Sequence, residues 1–363
     1  MSALNDALLT RMHEAIALGH EEGLQLAVYH HGQLVVDLTV GTKDDAGTPL
    51  KPDDMMMVWS TSKGITATAI HILAERNQLA YDDAIADYWP AFARHGKDAI
   101  SIRHLMSHTA GIYALPTGYG YEVMRNYETI CAMVADLVPA HQPGQSHIYH
   151  PLTYGWPLAK VAETVTGIGF GEFIQREICA PLGISDLFIG VPQTRLGDVA
   201  RLSHDATPEQ LANPDNPLPD PTVMANDPAI LATCIPAANM VASARAVAKV
   251  YASLLDNGVG GIRLLSRRQT ANATRIQFWG QNVEEQREIG HSLGYALGRA
   301  NPLYGSHHTA FGHCGYGGAT GFADPANHLA FALAKTRMTL APDRPSIKHD
   351  LAAIVRSHLC PME

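Results

Sequence analysis

Leu4, Leu8, Leu9, Met12, Ile16 and Leu18 recur every three or four residues, which predicts an amphipathic helix over about Leu4 to Glu22. The pattern then changes. Apolar and β-branched runs near Leu26 to His30 and Leu34 to Thr39, with Gly32 between them, read as two strands joined by a tight turn. From Ser60 to about Tyr251 the spacing is mainly helical, broken by loops at Pro116 to Tyr121 and at the proline-rich stretch Asn213 to Pro228. That second break reads as an irregular rim loop, a substrate wall rather than a linker. Strand-like runs return near Leu293 to Leu297, Thr309 to Gly315, Gly318 to Ala323 and Leu329 to Thr336, and Ile347 to His358 closes the chain as a helix. Strands at both ends with helices between them imply an α+β protein: one sheet assembled from the two ends, with residues 60–251 as a mainly helical insertion between 1–59 and 252–363.

Composition narrows the function classes. The 363 residues carry 26 basic and 35 acidic side chains, a net charge of −9, and no basic run, so a nucleic-acid partner is not expected. No apolar stretch approaches the ~18 residues of a membrane span. The N-terminus has neither the basic head nor the continuous apolar core of an export signal. Cys131, Cys179, Cys234, Cys314 and Cys360 are odd in number and lack paired spacing, which suits reduced thiols in a cytoplasmic protein. The 19 histidines include the adjacent pairs His30-His31 and His307-His308, but no metal-ligand spacing appears. The expectation is a soluble enzyme without metal or cofactor, for which a homo-oligomer is compatible.

The chemistry concentrates at Ser60-Thr61-Ser62-Lys63, just after the apolar run Met55 to Trp59. A serine and a lysine three apart at a helix start share one face, so the amine can reach the hydroxyl and take its proton. Ser60 is thus the candidate nucleophile, whereas Ser62 points elsewhere. The helix that follows places Ile65, Ala69, Ile70 and Leu73 toward a core. Further along, Tyr149 stands at a loop-helix junction after the Pro143-Gly144 turn, and Phe311 to Gly318 supplies the small residues that let a backbone or ligand come close. A rival exists in Gly290-His291-Ser292-Leu293-Gly294, which spells the G-x-S-x-G nucleophile elbow. That elbow needs a buried strand before it and a helix after it. Here Gln281 to Ile289 is mostly polar and Tyr295 to Gly305 holds glycines and a proline, so Ser292 reads as part of a turn leading into a strand.

Ser60 to Lys63, Tyr149-His150-Pro151 and His313-Cys314-Gly315, in this order, resemble the three motifs of the class C β-lactamase-like serine hydrolases, and most of all the family VIII carboxylesterases. Similar surroundings run through Tyr88-Trp89-Pro90, Ile102 to Gly111, Pro236 to Asn239 and Gly321 to Pro325. The resemblance implies a β-lactamase/transpeptidase-like fold with an antiparallel sheet. It also implies an acyl-enzyme on Ser60, a proton relay through Lys63 and Tyr149, and an oxyanion hole from the backbone N–H groups of Ser60 and Tyr316. Gly315, Trp59 and His150 would contact substrate, His313 would hydrogen-bond it or shape the cleft, and Ser107 and His108 would be structural support. Pro151 and His313 replace the asparagine and lysine that a lactamase directs at its substrate, so a small carboxylic ester is the expected substrate rather than a β-lactam. A β-lactamase, amide hydrolase or acyltransferase on the same fold, and a binding protein that has lost catalysis, are the alternatives.

Overall fold

A computed structural model describes residues 2–116, 120–211, 220–281, 288–341, 344 and 346–360. Its centre is an eight-stranded sheet built from β1 (Gly23–His30), β2 (Gln33–Gly41), β3 (Phe278–Gln281), β4 (Glu288–His291), β5 (Ala296–Leu297), β6 (Phe311–Cys314), β7 (Thr320–Asp324) and β8 (Leu329–Lys335). The order across the sheet is β2-β1-β8-β7-β6-β5-β4-β3, so the N-terminal hairpin pairs with the last strand. Every neighbouring pair is antiparallel, with Leu26 opposite Leu333 and Gly312 opposite Phe322.

The period-two alternation divides the sheet's faces by size. On β8, Leu329, Phe331 and Leu333 join Leu24, Leu26 and Val28 of β1 in a core against α1 (Ser2–Ala17) and the C-terminal helix α5 (Ile347–Leu359). Each such large side chain contributes roughly 1.5–3 kcal/mol by burial. Ala330, Ala332 and Ala334 face the other way, with Ala27, into the core shared with the insertion. Small residues there let α4 (Ala244–Ser253) lie close to the sheet. A Cβ on Gly321 would meet Val247 at 2.6 Å and Tyr251 at 2.7 Å.

The helix α2 (Ser62–Glu75) runs through the insertion's core and is buried on every side from Ser62 to Leu73. Its polar residues are matched individually: Thr66 donates to the Pro236 carbonyl at 2.7 Å, and His71 joins the Tyr81 hydroxyl at 2.6 Å and the Leu293 carbonyl at 2.9 Å. Around it the insertion is helical, including α3 (Gly155–Thr166), but it also holds short strands. Met56–Met57, Leu187–Phe188 and Val241–Ala242 form a three-stranded sheet, and Ser203–His204 pairs with Arg337–Met338. Among the described residues no helix is long and apolar enough to cross a membrane.

Four sequence expectations change. The first helix ends at Ala17, where Gly19 takes a positive φ of 67° and His20 N–H returns to the Ala15 carbonyl, so Leu18 is exposed rather than core. The polar stretch before the G-x-S-x-G pattern belongs to an edge hairpin, β3 and β4, whose residues 282–287 lie outside the described ones. The strand expected over Leu293 to Leu297 shortens to Ala296–Leu297. The stretch 213–228 is partly helical: residues 212–219 lie outside the description, but Pro221–Asn226 and Pro228–Ala232 are short helices. Each has proline in its first turn and an aspartate cap, Asp220 or Asp227.

Candidate active site

Strand pairing sets Ser60 in place. Met56 and Met57 pair with Ala242 and Val241, and Val58 N–H donates to the Met240 carbonyl, which carries the chain to the end of a short strand. Trp59 then takes a φ of +52°, a left-handed conformation costly for a large side chain, and Trp59 to Thr61 make one tight helical turn. The turn leaves Ser60 half-buried at a cleft while Thr61, Ser62 and Lys63 are buried. Ser62 is a clamp: its hydroxyl donates to the Trp59 carbonyl and accepts from Met240 N–H.

Lys63 lies in the first turn of α2 with no exposed surface. Its Nζ has three oxygen partners: Ser60 Oγ at 3.0 Å and the carbonyls of Pro151 at 2.7 Å and Ala237 at 3.0 Å. Two of these can only accept. The third, a hydroxyl, can donate as well. Burial without a counter-charge pushes the amine's pKa well below the ordinary lysine value, which favours the neutral form. A neutral amine then directs both N–H groups to the carbonyls and its lone pair to Ser60.

Neither carbonyl was legible in the motifs, because any residue supplies one. Their loops are fixed by side chains that were. Asn239 accepts from Ile235 N–H at 3.0 Å and donates to the Ile230 and Thr233 carbonyls, which shapes the Pro236 to Asn239 loop. His108, with φ +58°, supports the tyrosine motif: its carbonyl accepts from Ile148 N–H and its Nδ1 from His150 N–H at 3.1 Å. Tyr149 is thereby held with its ring centroid 4.9 Å from Lys63 Nζ. His150 has no place in the cleft. It is buried, its Nδ1–H donates to the Ile148 carbonyl at 2.7 Å and its Nε2 accepts from Ile112 N–H, so its ring serves the backbone and corrects the expected substrate contact.

The third motif lies on β6 and the turn after it. A Cβ on Gly315 would fall 2.2 Å from the Val58 carbonyl, so glycine is what lets this strand end approach the Ser60 segment. Tyr316 follows, 52 % exposed, with its ring 5.8 Å from that of Trp59. His313 is buried; its Nδ1–H donates to the Cys314 carbonyl at 2.8 Å, and burial, aided by Lys63 nearby, lowers its pKa to about 3. It is neutral at physiological pH. The half-buried sulfur of Cys314 lies 3.2 Å from the Tyr304 hydroxyl in the cleft wall. All five cysteines are free thiols.

Two pockets open on either side of Ser60, Tyr149 and Tyr316. One, of about 400 Å³, is lined by Trp59, Tyr121, Leu152, Pro221, Met224 and neighbours, and is mostly apolar. The other, of about 380 Å³, holds His147, His291, Asn301, Tyr304, His313 and Gly315. Neither lining contains a Lys, Arg, Asp or Glu among the described residues. His147 and His291 escaped the motif reading; the only signal was the G-x-S-x-G pattern, whose histidine rather than serine reaches the cleft. Ser292 is fully buried and bonded within its own turn, Oγ to the Tyr295 carbonyl at 3.2 Å. Of the adjacent histidine pairs, His30, His31 and His307 line a separate surface pocket. Among the described residues no group of three or more His, Cys, Asp or Glu is placed to hold a metal ion.

A β-lactamase family model matches residues 10–356. The chain belongs to the β-lactamase family. It is 34% identical over 341 residues to the esterase/beta-lactamase LipL of Mycobacterium tuberculosis, covering 87% of this chain and 77% of that one. A crystal structure of a family VIII carboxylesterase superposes with a TM-score of 0.87 at 29% identity, over 99% of this chain and 98% of that chain. A penicillin-binding protein homolog from Caulobacter crescentus gives 0.86 at 30% identity, over 98% of both. The chain is therefore an enzyme of the esterase/β-lactamase hydrolase family, with its β-lactamase/transpeptidase-like fold.

Proposed function

We propose that this enzyme hydrolyses carboxylic esters through an acyl-enzyme on Ser60. The observation that carries the reading is the set of partners around Lys63: two obligate acceptors and one hydroxyl, about a desolvated amine. Lys63 takes the Ser60 proton as Oγ attacks the ester carbon. The backbone N–H groups of Ser60 and Tyr316 receive the oxyanion. Collapse of the tetrahedral intermediate breaks the bond to the alcohol, and Lys63 with Tyr149 returns the proton to the departing oxygen. Water then attacks the acyl carbon, gives its proton to the same pair, and Ser60 leaves reprotonated.

An ester is favoured over a β-lactam by the charge of the cleft. A lactam carboxylate would meet a neutral His313 and no cationic side chain among the described lining residues. Losing one or two charge-assisted contacts is expected to cost on the order of 3 kcal/mol, a hundredfold in kcat/KM. The test is a series of p-nitrophenyl esters of increasing acyl length beside a chromogenic cephalosporin, with Ser60→Ala as control. Short to medium esters should turn over at least about a hundredfold faster in kcat/KM than the cephalosporin. A serine-directed phosphonate should label Ser60 in the unmodified protein. Equal kcat/KM for cephalosporin and best ester would make it a lactamase, and a label on another serine would remove Ser60 from the mechanism.

A further inference from the structure

The two pockets beside Ser60 differ in chemistry, and two histidines of the polar pocket are incompletely paired, the half-buried His147 and the more deeply buried His313. His313 is more than nine-tenths buried, and its Nδ1–H is committed to the Cys314 carbonyl. That bond fixes the tautomer, because a carbonyl can only accept. Nε2 is therefore a lone-pair acceptor. It is buried, lines the cleft pocket, and has no hydrogen-bond partner among the described residues. Burial, aided by Lys63 close by, keeps the ring neutral in ordinary buffers, its pKa held at about 3. Such a group recognises an O–H or N–H donor and offers nothing to a carboxylate.

We infer that the enzyme is selective for esters whose alcohol portion carries a neutral hydroxyl or N–H donor. That portion lies in the histidine pocket with its donor on His313 Nε2, and the acyl chain lies in the apolar pocket. The inference rests on the ester-hydrolase reading. The assignment of arms follows from what each half must do. The acyl chain stays bound to Ser60 after the alcohol departs, and Trp59, Leu152, Pro221 and Met224 give it apolar surface throughout. The alcohol oxygen must receive a proton as it leaves, and Tyr149, which borders both pockets, has its ring 6.1 Å from that of His313, so a donor held on His313 keeps the alcohol beside the relay. A polar alcohol also leaves more readily through His147, Asn301 and Tyr304 than through an apolar wall.

The test compares 2-hydroxyethyl butanoate with its near-isostere propyl butanoate, each kcat/KM divided by the ester's own hydroxide-catalysed rate. The unmodified enzyme should favour the hydroxyethyl ester by at least about tenfold, because a site built to pair a donor rejects the analogue lacking it. The preference should be flat from pH 5 to 8, since His313 does not titrate there. His313→Phe should reduce it below about threefold, while His313→Gln, which keeps an acceptor, should retain a measurable part. A ratio near one in the unmodified enzyme, or an unchanged ratio in His313→Phe, overturns the inference while ester hydrolysis itself stands. If neither ester is hydrolysed and phosphonate leaves Ser60 unlabelled, the ester-hydrolase reading falls and this inference with it.

Discussion

Two lysines in the insertion are fully buried and make three hydrogen bonds each, yet they are opposites. Lys97 donates to the carbonyls of Arg94, Ala135 and Leu137, tying the end of one helix to the loop after another. All three partners can only accept, so a full set of bonds needs the ammonium; burial lowers this amine's pKa too, but the Asp136 carboxylate opposes it. Lys63 has two carbonyls and a hydroxyl. One partner that can also donate changes the function of the site, because a neutral amine satisfies the set as well as a cation and is a base when it does. The contrast separates burial from basicity: under the proposed mechanism, what lets Lys63 act as a base is the chemistry of its third partner.

The sharpest way to break this comparison is Lys63→Arg, which keeps positive charge and donors but cannot lose its proton in water. We expect kcat on p-nitrophenyl butanoate to fall by roughly a thousandfold or more, the scale of losing a general base. Tyr149→Phe should also lower kcat by orders of magnitude, and the double variant should be little worse than the poorer single one, because the two act as a unit. The pH profile adds the sign. Protonated Lys63 cannot take the serine's proton, so activity is lost as pH falls through its folded pKa and is present above it. Since burial lowers that pKa, the acid limb of kcat/KM should lie well below the ordinary lysine value of 10.5. An arginine variant with near-normal kcat would end Lys63's role as base.

Lys97→Met gives the reverse outcome. It should leave the pH profile of kcat in place but cost about 3 kcal/mol of stability, because three buried carbonyls lose their partner. Urea unfolding measures the loss, and a shifted pH profile would mean that the two lysines are not separable. Ser292→Ala is the smallest perturbation. Its hydroxyl contributes one bond within a turn, so about 1 kcal/mol of stability and under twofold in kcat are expected. A large loss of activity with normal unfolding would bring the rival elbow back into contention.

The amino-acid sequence alone determined what depends on near neighbours. Helical spacing put Ser60 and Lys63 within reach, because three residues make nearly one turn, and alternation on β1 and β8 marked the two faces of the sheet. Motif order pointed to the three segments that line or brace one cleft. Whatever depends on contacts between distant segments came from the fold. Lys63 draws acceptors from positions 88 and 174 residues away, and both are backbone carbonyls, which carry no residue signature. His150 sits beside Tyr149 in the chain yet turns into the protein, because two backbone partners claim its ring. His291 reaches the cleft instead, brought there by a polar edge hairpin whose weak alternation hid it as a strand. Even the neutrality of His313 is a tertiary property: a histidine titrates near 6.5 until burial and a nearby amine make its charged form unaffordable.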